Sequence, residues 1–195
     1  DGAGYEPQGN FYHNDEQIDA AKDENLQELA RAAMLCNEGS LVQHEGQWQV
    51  QGDPTDGALI AFAMKAGMDE KTCTGEFPRL DIIPFESEHK FMATLHKQPA
   101  GENIVYLKGA PERVLLKCAK ERHGNDDREI NLEFWNKRIE NIAQLGQRTL
   151  AVAAAIVPGK ESIGHEDVND NLTLLGLFGL IDPPRDEVIA AVANC

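Results

Sequence analysis

The sequence predicts an α+β fold built on an antiparallel sheet. Three observations support this: strand-like and helix-like stretches come in blocks, no internal repeat recurs at a fixed spacing, and three strand candidates follow one another between 80 and 107. At 195 residues the chain holds one large domain or two small ones and can bury a sizeable core. Its 42% apolar and 26% charged residues are ordinary for a globular protein.

The turn-rich opening Asp1–Gly9 leads into a short strand near Phe11 and Tyr12. A helix is signalled from Asp23, which can cap it, with Leu26, Leu29, Ala30, Ala33 and Met34 on one face. Leu41–His44 and Gln47–Gln51 flank Glu45-Gly46, the pattern of a β-hairpin. The next helix has the clearest start: Asp53 as N-cap, Pro54 at the first position, Asp56 at the third. Ala58, Leu59, Phe62 and Ala66 form its expected buried stripe, and Gly67 its stop.

Strands are expected at Leu80–Phe85, Phe91–Lys97 and Asn103–Leu107, and Ala110-Pro111-Glu112 opens another helix. The polar, charged segment Glu121–Arg128 reads as a loop. A helix with Leu132, Trp135, Ile139 and Ile142 on one side follows, ended by Gly146. Thr149–Val157 and Leu172–Ile181 read as buried strands separated by a polar loop, Gly159–Asn171. Pro183 closes the second strand and Glu187–Asn194 begins a final helix.

Asp and Glu outnumber Lys and Arg by 33 to 18, for a net charge of −15. Such a chain is a poor nucleic-acid binder, since that task needs cations to displace counterions. It also repels free nucleotide at long range, so any site for one needs a locally positive patch. Cys36, Cys73, Cys118 and Cys195 form no C-x-x-C pair, so reduced thiols in a cytosolic domain are expected rather than zinc ligands or disulfides. The six histidines show no metal-ligand spacing. No signal peptide is visible and the first residue is not methionine, which suggests a segment of a longer chain. The longest apolar stretches, Thr149–Pro158 and Leu172–Ile181, fall short of the ~20 residues that cross a bilayer.

Neither a P-loop, a dinucleotide fingerprint, G-x-S-x-G nor H-E-x-x-H occurs, so any nucleotide must be held without a glycine cradle. Lys108-Gly109 falls where a strand ends and a helix begins; the lysine can reach a cleft and the glycine lets a ligand approach the backbone. Phe85 ends one strand and Lys90 starts the next, an aromatic face with a cation nearby that suits a purine. Each of these alone is commoner as a core phenylalanine or an exposed lysine.

Read together, Gly52–Leu59, Ile83–Met92, Tyr106-Leu107-Lys108-Gly109-Ala110-Pro111-Glu112 and Ile181-Asp182-Pro183-Pro184-Arg185 resemble the nucleotide-binding (N) domain of type II cation-transporting P-type ATPases. Gly4-Tyr5-x-Pro-x-Gly9, Leu35-Cys36-Asn37 and Leu145–Leu150 agree in the same order, so the likeness covers nearly the whole chain. It implies a twisted antiparallel sheet of about six to seven strands flanked by helix pairs. It also implies a cleft for ATP (Mg-ATP in the whole enzyme) formed by Asp56, Phe85, Lys90, Met92, Lys108, Gly109 and Arg148. Within it Phe85 and the Pro-Phe-x-Ser-x-x-Lys-x-Met run take the adenine, Asp56 lies near its amino group, and Arg148 faces the phosphates.

The family's phosphorylated aspartate lies in an Asp-Lys-Thr-Gly-Thr motif that does not occur here, so no catalytic residue is assigned. The resemblance implies a cytoplasmic domain of an integral membrane protein, with phosphorylation, actuator and transmembrane domains as partners in the same polypeptide. Residues 1–180 would be the ATP-binding domain and 181–195 the return hinge and start of the phosphorylation domain. The piece alone is expected to be monomeric and to bind ATP without hydrolysing it. Ser87 stands where muscle-type calcium pumps carry arginine, closer to sodium-pump-like and bacterial calcium-pump-like sequences. Calcium is the first expectation for the ion, sodium or potassium the second. A small stand-alone kinase or phosphatase, or an N-domain-like fold turned protein-interaction module, are the alternatives.

Overall fold

The computed structural model describes residues 4–99, 101–124 and 126–181. The expected return hinge Asp182–Arg185 and final helix Glu187–Asn194 lie outside the described residues.

A short hairpin of β1 (Phe11–His13) and β2 (Glu16–Ile18) opens the fold. Helix α1 (Glu24–Leu35) begins as expected at Asp23, whose carboxylate accepts the Leu26 N–H at 3.0 Å. The separate hairpin of β3 (Ser40–His44) and β4 (Gln47–Gln51) turns at Glu45 and Gly46, both with positive φ, the backbone a two-residue turn of this hand requires. Helix α2 (Pro54–Lys65) has the expected N-cap Asp53 and first-position proline. Its buried set is broader than the expected stripe, because Gly57, Ile60, Ala61 and Ala63 are covered as well. Helix α3 (Glu70–Glu76), capped by Asp69, follows without having been foreseen.

The remaining strands are β5 (Arg79–Glu86), β6 (Phe91–Lys97), β7 (Asn103–Gly109), β8 (Cys118–His123), β9 (Asp126–Glu129), β10 (Arg148–Ile156) and β11 (Leu172–Leu180). Between them lie the single-turn helix α4 (Pro111–Val114) and helix α5 (Leu132–Gln144). All seven form one sheet in the order β5-β6-β7-β10-β11-β8-β9.

The mostly antiparallel sheet is as expected, with one refinement, and one expectation needs correction. The sheet is mixed: every pair is antiparallel except β11 with β8, which run parallel. The segment Glu121–Arg128 is not a loop but most of the β8–β9 hairpin at the sheet edge. Its charges suit that place, since an edge strand of charged residues resists pairing with other chains. They also bond across the hairpin, Arg122 to Asp127 and Arg128 to Glu121.

The central strands are buried on both faces, and their side chains alternate between two cores. Met92, Ile104, Tyr106, Val152 and Ala154 pack with the inner faces of α1 and α2. Phe91, Ala93, Leu95, Val105, Leu107, Ala151 and Ala153 pack on the opposite side with Val114, Leu115, Ile163 and Val168, and with Trp135 and Ile139 of α5. This double coverage is why these strands read as near-continuous apolar runs. Among the described residues no helix is long and apolar enough to cross a membrane.

Candidate functional site: a cleft at the end of the central strands

Lys108, next to last in β7, is paired in register with Met92 near the start of β6 and Val152 of β10. The two-residue alternation puts Lys108, Met92 and Val152 on the α1–α2 face of the sheet. There the first turn of α2 presents Asp56, and Lys108 Nζ donates to its Oδ1. Both residues are buried, at 5% and 8% exposure. The second carboxylate oxygen of Asp56 accepts the Glu38 N–H at 3.0 Å, so each charge has a partner. Asp53, the N-cap of α2, accepts the Thr55 N–H at 2.7 Å. Burial pushes its carboxyl up, but the bonds from Thr55 and Asp56 outweigh it and hold the pKa below the usual range.

The β5–β6 connection forms the opposite wall. A tight turn over Glu86–Lys90 is closed by the Lys90 N–H to the Glu86 carbonyl at 2.7 Å. Lys90 sits in the left-handed region at φ 57, and its Nζ lies 3.3 Å from Glu112 Oε1 of α4. Its carbonyl accepts the Ala110 N–H at 2.9 Å, tying the turn to the end of β7. Gly109 is required at that crossing: a Cβ there would lie 2.4 Å from the Lys90 carbonyl oxygen and 2.6 Å from Phe91 Cβ. Its absent side chain thus leaves room for the neighbouring strand, whatever else approaches the backbone.

Phe85, at the end of β5, is 58% exposed, although it belongs to a strand of a well-packed sheet. Its exposed ring shares a cleft with Lys90 and Arg148, which makes it a candidate binding wall. Arg148 and Leu150, at the start of β10, supply the third side.

All seven residues singled out in the sequence, Asp56, Phe85, Lys90, Met92, Lys108, Gly109 and Arg148, line one cleft of about 770 Å³. Met92 forms part of its floor at 3% exposure. Sequence reasoning did not assign Glu38, Thr149 and Leu150 to the site, yet they line it too. Glu38 could have been found from Leu35-Cys36-Asn37, since it directly follows the residue that ends this motif. Asn37 Nδ2 donates to the Ala33 and Met34 carbonyls, and Arg79 donates to the Leu35 and Asn37 carbonyls, which fixes the end of α1 over the cleft.

The family described as "P-type ATPase, cytoplasmic domain N" matches residues 25–187. The chain belongs to this family. The N domain is 39% identical over its full length to the cation-transporting ATPase pma1 of Synechocystis, and 31% identical over its full length to a calcium-transporting ATPase of Bacillus subtilis. It is 34% identical, over 86% of its length, to the sodium/potassium exporting ATPase cta3 of Schizosaccharomyces pombe. It spans 22% of the length of each of the first two relatives and 16% of the third. The α+β fold with its seven-stranded sheet is therefore that of a P-type ATPase N domain.

Proposed function

We propose that this N domain holds ATP in the cleft and presents the γ-phosphate to an aspartate on a phosphorylation domain of the same, longer polypeptide. The exposed ring of Phe85 carries the reading: adenine stacks on it, with Met92 beneath. A cleft of about 770 Å³ is the size of a small-molecule site. Lys90 and Arg148 place cations on the rim of a cleft that Glu38 and Asp53 also line, in a chain of net charge −15. Arg148 suits the phosphates, because its planar fork donates two bonds at once. The ammonium of Lys108 is shared with Asp56, so the floor of the cleft is neutral and the pair recognises ligand by hydrogen bonds rather than by net charge.

Residues 1–180 are the binding unit in this reading, and 181–195 return the chain to the phosphorylation domain. Hinged closure then brings nucleotide and aspartate together, so that catalysis is a matter of positioning. The parent is a type II pump in a membrane, with actuator and transmembrane domains. Calcium is the preferred ion, in keeping with the printed name of the Bacillus relative, and sodium or potassium the second choice, as in the yeast one.

Titration of the chain with ATP, AMP and GTP, followed by NMR, tests the proposal. ATP and AMP are expected to bind with Kd between high micromolar and millimolar, about −4 to −6 kcal/mol. Magnesium should change this little. Phe85→Ala should cost ~1–3 kcal/mol of that affinity. Undiminished binding by the variant, or shifts confined to residues away from Phe85, Lys90 and Lys108, would overturn the assignment.

A further inference from the structure

Beside the cleft, on the outer side of the β5–β6 turn, Glu86 and His89 meet His165. One ligand-capable atom from each lies within 4.8 Å of the other two. His89 Nε2 is 3.5 Å from Glu86 Oε2, and the two imidazole rings are 4.3 Å apart between centroids. We propose that these three side chains form a binding site for a borderline divalent cation, Zn²⁺ foremost, that pins the β5–β6 turn to the β10–β11 connection.

Donor chemistry selects the ion. Two neutral imidazoles and one carboxylate match the His₂Glu ligand set of zinc, with a fourth position left for water. Hard cations such as Mg²⁺ and Ca²⁺ prefer all-oxygen shells and gain little from imidazole. A tetrahedral site needs ligand atoms about 3.3 Å apart, given metal–ligand bonds of ~2.0–2.1 Å. The Glu86–His89 separation is already close to that. The remaining approach is within reach of side-chain rotation, because Glu86 is exposed and both histidines are only half buried.

The backbone on both sides is held in place. His89 and Lys90 both donate their N–H to the Glu86 carbonyl, which sets Glu86 and His89 on one turn. His165 opens a single 3-10 turn, His165–Val168, anchored by the Gly164 N–H to Asp167 at 2.9 Å and by the Lys160–Asp167 ion pair. Ile163 and Val168 on either side of it are buried in the core on the sheet face opposite α1 and α2. The Ile163 N–H also donates to Asp81 of β5 at 2.8 Å. Phe91 packs against both rings, at 6.0 Å from His89 and 5.6 Å from His165, and limits their swing. Glu86 and His89 lie beside Phe85, Ser87 and Lys90 of the cleft, so a bound ion would stiffen the wall that carries the exposed ring.

The test is a calorimetric titration of the chain with Zn²⁺ and, separately, Mg²⁺, in a Cys195→Ser background that removes the one thiol not shown to be buried. Saturable one-to-one binding of Zn²⁺ but not Mg²⁺ is expected. His165→Gln and His89→Gln should each weaken it at least about tenfold, the scale on which even outer partners of a metal ligand act. The exposed His44→Gln should leave it unchanged. Amide exchange in Glu86–Lys90 should slow on adding Zn²⁺ to the parent chain and not to the His165→Gln variant. Absence of saturable binding, or equal binding by the unsubstituted chain and both metal-site histidine variants with their folding intact, overturns the proposal. It stands or falls independently of nucleotide binding.

Discussion

Lys108 and Phe85 line one cleft but are held there by different forces, and substitution should separate them. Lys108→Ala leaves the Asp56 carboxylate buried without its counter-charge, a loss that typically costs ~3–5 kcal/mol. Urea unfolding should show that drop, with partial recovery in the double variant Lys108→Met/Asp56→Asn. Weaker nucleotide binding by Lys108→Ala therefore cannot be read as a lost ligand contact without the unfolding midpoint. Phe85 has more than half its surface in solvent, so Phe85→Ala should lower affinity while leaving the midpoint nearly unchanged. Lys90 offers the opposite sign. Its left-handed backbone strains any residue with a Cβ by roughly 1 kcal/mol. Lys90→Gly should keep or raise the unfolding midpoint even as it weakens ATP binding; a fall in stability would contradict this account of the turn.

At the scale of elements, local chemistry made some segments legible and left others hidden. The caps of α1 and α2 were readable because Asp23, Asp53 and Pro54 act on the backbone next to them. The central strands were readable because two cores make them apolar throughout. The β8–β9 hairpin was missed because its sequence is charged: one edge strand faces water, and the cross-strand bonds that hold it are invisible in a linear pattern. Only one residue of α3, Cys73, is buried, too little for a periodic signal. The parallel β8–β11 pairing depends on how distant segments meet. The same holds for Glu86, His89 and His165, which converge in space although no spacing in the sequence pairs them. Met92, Lys108 and Gly109 were found through their motifs, whereas Glu38 reaches the cleft only through the end of α1.

Glu121 shows what the hairpin contributes. It is 1% exposed and accepts from Arg128, the Asn131 N–H and Trp135 Nε1, so it joins the hairpin to α5. Burial raises its pKa, but those three donors outweigh it and hold the carboxyl below its usual value. A depressed carboxyl pKa contributes stability above the unfolded-state value of about 4.5. That contribution disappears as pH falls through the folded value. Glu121→Ala should cost about 1–2 kcal/mol at pH 7, since it removes hydrogen bonds to three donors that water can partly reach.

His96 of β6 works in the pH range just above. Burial depresses it to about 4, despite the bond from Nδ1–H to the Phe77 carbonyl at 2.9 Å. The unfolded histidine binds its proton near 6.5, so between about 6.5 and 4 the unfolded state carries one more proton than the folded one. Stability should therefore decline as pH drops through that window, by up to ~3 kcal/mol. Urea midpoints at pH 7, 5.5 and 4.5 would show the slope, and His96→Gln should flatten it. An unchanged slope in the variant would exclude His96 as its origin.

For the whole molecule, the seven-stranded sheet is a frame that at one end gathers residues from α2, β5, β6, β7 and β10. No single element could form the cleft, which explains why substitutions in the frame are expected to act through stability and those on the rim through affinity. The chain covers about a fifth of the Synechocystis and Bacillus relatives, and no Asp-Lys-Thr-Gly-Thr motif is present to accept a phosphoryl group. Purified chain should accordingly release no phosphate from ATP above the buffer rate in a malachite-green assay. Turnover abolished by substituting a cleft residue would identify a complete enzyme instead. The most direct test of the central claim is a crystal structure of the chain with a non-hydrolysable ATP analogue. The purine should lie against the Phe85 ring with its phosphates towards Lys90 and Arg148; a nucleotide bound elsewhere, with the cleft closed over by the protein's own side chains, would contradict it.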